Sequence, residues 1–125
     1  MLKLLLISRD INPFNELTSR LKKYDDVELE ISASGEKAFE MISGKAPDLA
    51  IVDGDLGDMT GLEFVKRLLK VNPMIDTAVV SALDPAEFHE ASEGLGIMCQ
   101  LPKKPDKDNT DKLVQTLKQI KGMLI

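Results

Sequence analysis

The chain has 125 residues, 43% of them apolar and 30% charged, and a formal net charge of −5. That is the composition of one ordinary globular domain, residues 1–125, neither disordered nor membrane-embedded. The acidic balance argues against a direct grip on nucleic acid. One cysteine, Cys99, and one histidine, His89, leave no internal disulfide and no Cys/His metal cluster.

The first apolar run, Leu2 to Ile7, reads as a strand, too short for a bilayer span and without a cleavage site. A cytoplasmic location without membrane contact is the expectation. Phe14, Leu17 and Leu21 follow at helical spacing, with Asn12 as candidate N-cap and Pro13 at the first helical position. Val27 to Ile31 alternates apolar residues with Glu28 and Glu30, as a half-buried edge strand does. Ser34-Gly35 opens a helix that carries Ala38, Phe39, Met41 and Ile42, and Pro47 stops it.

Leu49-Ala50-Ile51-Val52 is apolar throughout, as in a central strand covered on both faces. Thr60 and Glu63 have the spacing of a capping box, ahead of a stripe of Leu62, Val65, Leu68 and Leu69. Asn72-Pro73 breaks that helix. Ile75 to Val80 forms the next strand, and Asp84-Pro85-Ala86-Glu87 repeats the capping logic. Ile97 to Leu101 is a short last strand, Lys103 to Asp111 a loop, and the final helix starts near Thr110 with Leu113, Leu117, Ile120 and Leu124.

Five strand–helix units in alternation require crossover helices. The fold class is therefore α/β, a doubly wound, mainly parallel sheet with helices on both faces. Such folds bind ligands outside the carboxyl ends of the strands, where strand order reverses. Those ends read Ser8-Arg9-Asp10, Asp53-Gly54-Asp55, Ser81-Ala82 and Pro102-Lys103-Lys104-Pro105. Carboxylates, a hydroxyl and a lysine on one face suit phosphoryl transfer, which needs positioning and charge neutralisation. Cys99 is read as a small buried strand residue, not a reactive thiol.

Three blocks carry a family resemblance: Pro47 to Asp53 continuing to Met59-Thr60-Gly61-Leu62-Glu63, then Val79-Val80-Ser81-Ala82, then Lys103-Lys104-Pro105. Together they resemble the receiver domains of two-component response regulators, the CheY-like family, in order and over essentially the whole chain. The resemblance implies a flavodoxin-like five-stranded sheet of order 2-1-3-4-5. It implies Asp53 as phosphoacceptor, since a carboxylate can form an acyl phosphate directly. Ser81 would bond the phosphoryl oxygen and couple it to a loop shift. Lys104, directly before Pro105, would neutralise the phosphoryl group, with Lys103 as the alternative.

Resemblance also implies Mg²⁺ as cofactor, with Asp10, Asp53 and the backbone carbonyl of Asp55 as its ligands. The implied partners are a histidine kinase or phosphotransfer protein and a downstream effector on another chain, with homodimerisation possible. No catalytic turnover of its own is expected.

The sequence departs from the family where an adjacent acidic pair should follow the first strand. Those positions hold Ser8 and Arg9, and only Asp10 is acidic. Mg²⁺ takes oxygen ligands, and a guanidinium cannot supply one. Two readings stay open: Asp10 replaces the missing carboxylate and Asp53 keeps a weakened metal site, or Arg9 takes the metal's place against Asp53 and the domain is a phosphorylation-independent binding module. The last strand also lacks the family's aromatic residue, having Gln100 or Leu101 there.

The spacing of Asp53 and Asp55 resembles the nucleophile motif of haloacid-dehalogenase phosphatases, but those enzymes place it on the first strand and need a longer core. Flavin binding would need a hydroxyl- and glycine-rich loop that residues 8–13 do not form. Asp58 reads as a turn residue.

Overall fold

The computed structural model describes residues 1–122, so Leu124, expected on the last helix, lies outside the described residues. Five strands alternate with five helices: β1 (Leu2–Ile7), α1 (Asn15–Leu21), β2 (Val27–Ser32), α2 (Gly35–Gly44), β3 (Leu49–Val52), α3 (Gly61–Val71), β4 (Asp76–Val80), α4 (Pro85–Ala91), β5 (Cys99–Leu101) and α5 (Lys107–Ile120). All pairings are parallel, and the order is β2-β1-β3-β4-β5. This is the doubly wound, flavodoxin-like architecture expected from the sequence.

The period of two along each strand sends alternate side chains to opposite faces, and two cores result. Leu2, Leu4 and Leu6 of β1 with Leu49 and Ile51 of β3 meet Phe14, Leu17 and Leu21 on one side of the sheet and Leu113, Val114 and Leu117 of α5. Leu5 and Ile7 with Ala50 and Val52 meet Ala38 and Ile42 of α2, Phe64, Val65 and Leu68 of α3 and Phe88 of α4. β3 lies in the middle, wholly buried, as its unbroken apolar run requires. β2 is an edge strand, its two glutamates exposed.

Several local expectations shift. Asn12 does not cap α1; Asn12–Phe14 is a 3-10 turn with Pro13 inside it, and Ile11 in the cap position makes no side-chain bond. Thr60 Oγ1 accepts from the Glu63 N–H as expected (3.1 Å), but the buried stripe of α3 is Phe64, Val65 and Leu68, with Leu62 and Leu69 only half-buried. β5 starts at Cys99, two residues later than expected.

The largest shift is at α5. It starts at Lys107, inside the expected loop, because Asp106 and Asn109 close a reciprocal capping box. Asn109 takes the role usually given to Glu or Gln, so the pattern escapes a search for those residues. Ile120 faces solvent, 53% exposed, instead of lying on the buried stripe.

Candidate functional site

The strand order reverses between β1 and β3, so the crevice beyond their carboxyl ends is the favoured ligand position. Ser8 ends one strand and Asp53 the other. Ser8 is buried, and its hydroxyl lies 2.8 Å from Asp53 Oδ2 and 2.7 Å from the Asp10 carbonyl oxygen. One hydroxyl proton can serve only one of these acceptors at a time. The Asp10 N–H donates back to Ser8 Oγ (3.1 Å), and Asp53 Oδ1 accepts from the Gly54 N–H (2.8 Å). Asp53 Oδ1 therefore has a fixed donor, while Oδ2 shares the Ser8 proton with the Asp10 carbonyl.

A groove of about 400 Å³ opens over this carboxylate, lined by Asp53, Gly54, Ser81, Lys103 and Lys104 among others. Asp53 and Ser81 are half-buried there, and both lysines are exposed. Asp53, Ser81 and the lysine pair thus come together as the sequence suggested. Lys104 also lines the neighbouring groove with Asp10, Asn12 and Pro105. No cis peptide occurs among the described residues, Lys104–Pro105 included.

The Asp10 carboxylate and the Arg9 guanidinium both engage partners other than Asp53. Asp10 turns its carboxylate to the Asn12 N–H (3.0 Å), an Asx turn that caps its own loop. Arg9 does not pair with Asp53. Its guanidinium reaches Asp55 Oδ2 at 3.0 Å, and its side chain passes over Gly57, whose φ of +86° only glycine adopts readily. Asp55 Oδ1 in turn accepts from the Gly57 N–H (2.9 Å).

The implied Mg²⁺ site can be tested against these donors. A divalent ion here wants carboxylates free to turn toward it. The Asp10 carboxylate is bonded to its own turn and that of Asp53 to Ser8 and Gly54, and the Arg9 guanidinium beside Asp55 Oδ2 brings positive charge close to the Asp55 backbone carbonyl that the resemblance implies as a ligand. Among the described residues no group of three or more His, Cys, Asp or Glu side chains is placed to hold a metal. The residues present do not fit the family's acidic cage.

The loop from Gly54 to Thr60 is closed on itself. Leu56 is buried, Asp55 and Thr60 form an antiparallel bridge, and the Gly61 N–H donates to Gly54 O at 2.9 Å. Asp58, read from sequence as a turn residue, instead accepts the N–H groups of Gly35 and Glu36 at the start of α2 (3.1 and 2.9 Å). Those donors hold its carboxyl below the ordinary carboxylate range. On the far edge, burial pushes the Cys99 thiol up to about 11, which suits the unreactive role expected of it.

Gln100 of β5 engages the segment that follows β4. Gln100 Nε2 donates to the carbonyls of Ser81 (3.2 Å) and Leu83 (2.7 Å). Leu101 points the other way, into the core.

Comparison with known proteins agrees with the fold. Residues 6–117 match the family profile described as response regulator receiver domain. Sporulation initiation phosphotransferase F of Bacillus subtilis is 24% identical over 91 residues, 73% of each chain. The sensory transduction protein LytT of the same organism is 28% identical over 122 residues, and this chain spans 97% of itself but only 48% of LytT. A receiver domain protein (CheY-like) from Methanospirillum hungatei superposes with a TM-score of 0.82 at 21% identity, covering 98% of each chain, a likeness of fold. With a profile matched over most of its length, a sheet of order 2-1-3-4-5 and an aspartate at the switch point, this chain belongs to the receiver domains of two-component response regulators.

Proposed function

We propose that the chain receives a signal as a phosphoryl group on Asp53, passed from the phosphohistidine of a cytoplasmic histidine kinase or phosphotransfer protein. The observation that supports this is the groove: a half-buried carboxylate at the switch point, with a hydroxyl and two lysines along one opening. In the transfer, an Asp53 oxygen attacks phosphorus, the P–N bond to the imidazole breaks, and the leaving nitrogen keeps the bonding pair. Lys103 and Lys104 meet the negative charge of the transferred group, and Ser81 offers it a hydroxyl. Ser8 orients the attacking carboxylate. The chain is then an acceptor and not an enzyme with its own substrate turnover, and its output passes to an effector.

The family's Mg²⁺ has no cage here, so the reading assigns it no step. Incubating the protein with acetyl phosphate and following intact mass tests the acceptor role. One base-labile phosphoryl group is expected, absent from Asp53→Asn. No adduct at saturating donor sinks it.

The replacement of the acidic pair by Ser8 and Arg9 favours a second reading, a receiver-shaped module that binds its partner without phosphate. It would bind that partner equally well as Asp53→Asn, whereas the first reading requires the variant to lose the signal-dependent component.

A further inference from the structure

From the edge of the sheet, we infer that Gln100 is a positioning residue: it latches the β4–α4 segment and thereby holds the Ser81 hydroxyl toward the Asp53 groove. The inference deepens the reading of that groove, but its test does not depend on phosphoryl transfer.

The latch has three parts. Ser81 N–H donates to Leu101 O at 3.1 Å, which continues the β4–β5 ladder by one residue. Gln100, next to Leu101, then donates its carboxamide to Ser81 O and Leu83 O. Leu83 N–H in turn donates to Ser81 Oγ at 3.1 Å. Ser81 is thus held on its backbone by both Gln100 and Leu101. Its hydroxyl oxygen is engaged from the loop side, which leaves its proton for an acceptor in the groove that Ser81 lines.

Chemistry fixes the orientation of the amide. Turned over, it would place Oε1 against two carbonyl oxygens, so only the Nε2 orientation satisfies both. Two donors on one nitrogen match two acceptors, which neither an apolar residue nor a carboxylate can do.

The rest of the segment has little else to hold it. Phe88 is the only buried side chain of α4, and Ala82, Leu83 and Asp84 are all exposed. A segment with so few buried contacts opens locally at low cost. Removing the amide therefore shifts its opening equilibrium far more than that of the core. If a group on Asp53 draws the Ser81 hydroxyl beyond reach of Leu83 N–H, the bond from Gln100 to the Leu83 carbonyl still ties the loop to the sheet.

Amide hydrogen exchange on the whole chain tests this. In Gln100→Leu and Gln100→Glu, neither of which can donate, Leu83 and the first turn of α4 are expected to exchange about tenfold faster. Amides of β1, β3 and α5 should not change. Gln100→Lys keeps a donor and should restore protection at Leu83. Equal exchange in all variants, or equal acceleration in the lysine and leucine variants, overturns the inference. A measurement on the unmodified protein guards against misfolded variants. The side-chain amide of Gln100 should exchange more slowly than those of the exposed Gln115 and Gln119, and equal rates would likewise overturn it. Loss of acetyl phosphate labelling bears on Asp53 alone and leaves these readouts standing.

Discussion

A methyl group added at Gly61 would stand against the carbonyl oxygen of Asp53, well inside contact distance, and that oxygen is backbone that cannot swing aside. At Gly44, on the last turn of α2, the same methyl meets nothing. The two glycines therefore give opposite predictions from one substitution. Gly61→Ala forces the Asp53–Gly54 peptide to move and should cost about 1–3 kcal/mol, the usual range for overpacking. Gly44→Ala should stabilise by up to about 1 kcal/mol through helix propensity. Urea unfolding midpoints check the signs, and amide shifts at Asp53 and Gly54 should move only in the first variant. Equal midpoints would mean that the close packing at Gly61 does not matter. Asp53 itself was legible in the sequence because an unbroken apolar run ending in a carboxylate is a local pattern. The partners of Arg9 and Asp58 were not, since they depend on which side chain reaches across a gap in three dimensions.

Between elements, α1 is joined to α5 by a polar lock. Arg20 donates through Nε and a terminal nitrogen to both oxygens of Asp111, each at 2.8 Å, and the Tyr24 hydroxyl adds a third bond at 2.6 Å. The guanidinium and then the phenol hold the Asp111 carboxyl down to about 2, and the carboxylate raises Arg20 in return. A folded-state value below that of the unfolded chain, about 3.9, means a contribution fully present above that value. It is lost as pH falls from about 4 toward 2. The stability difference between the wild type and Asp111→Asn should accordingly shrink over that window. Urea titrations at several pH values measure it, and a constant difference would show that the lock does not govern α1–α5 docking. At this scale the sequence was readable wherever hydrophobic period set the element. It was unreadable where a cap did so through an unusual residue, as Asp106 and Asn109 do at the start of α5.

For the molecule as a whole, the question is what neutralises the carboxyl edge of the sheet. Mg²⁺ takes several oxygen ligands, whereas here the carboxylates of Asp10 and Asp53 are each already bonded within the protein. A ligand stabilises a fold only as far as it binds the folded state. Addition of about 10 mM MgCl₂ should thus leave Tm where sodium chloride of equal ionic strength leaves it. Replacing Ser8 and Arg9 together by aspartate should lower Tm through like-charge crowding and make it rise again with Mg²⁺. A Mg²⁺-specific rise in the wild type would contradict the assignment.

The architecture was already written in local pattern: alternating apolar runs and amphipathic stripes of the right length leave a parallel, doubly wound sheet as the way to bury both. Local pattern also places Asp53, Ser81 and a lysine at strand ends along one edge, because it sets where the strands stop. What each charge does there follows from contacts made across the fold. Arg9 pairs with Asp55 across 46 residues of chain, and Gln100 reaches Leu83 across 17. Such contacts follow from register and side-chain direction after the sheet has closed, and no spacing along the chain encodes them.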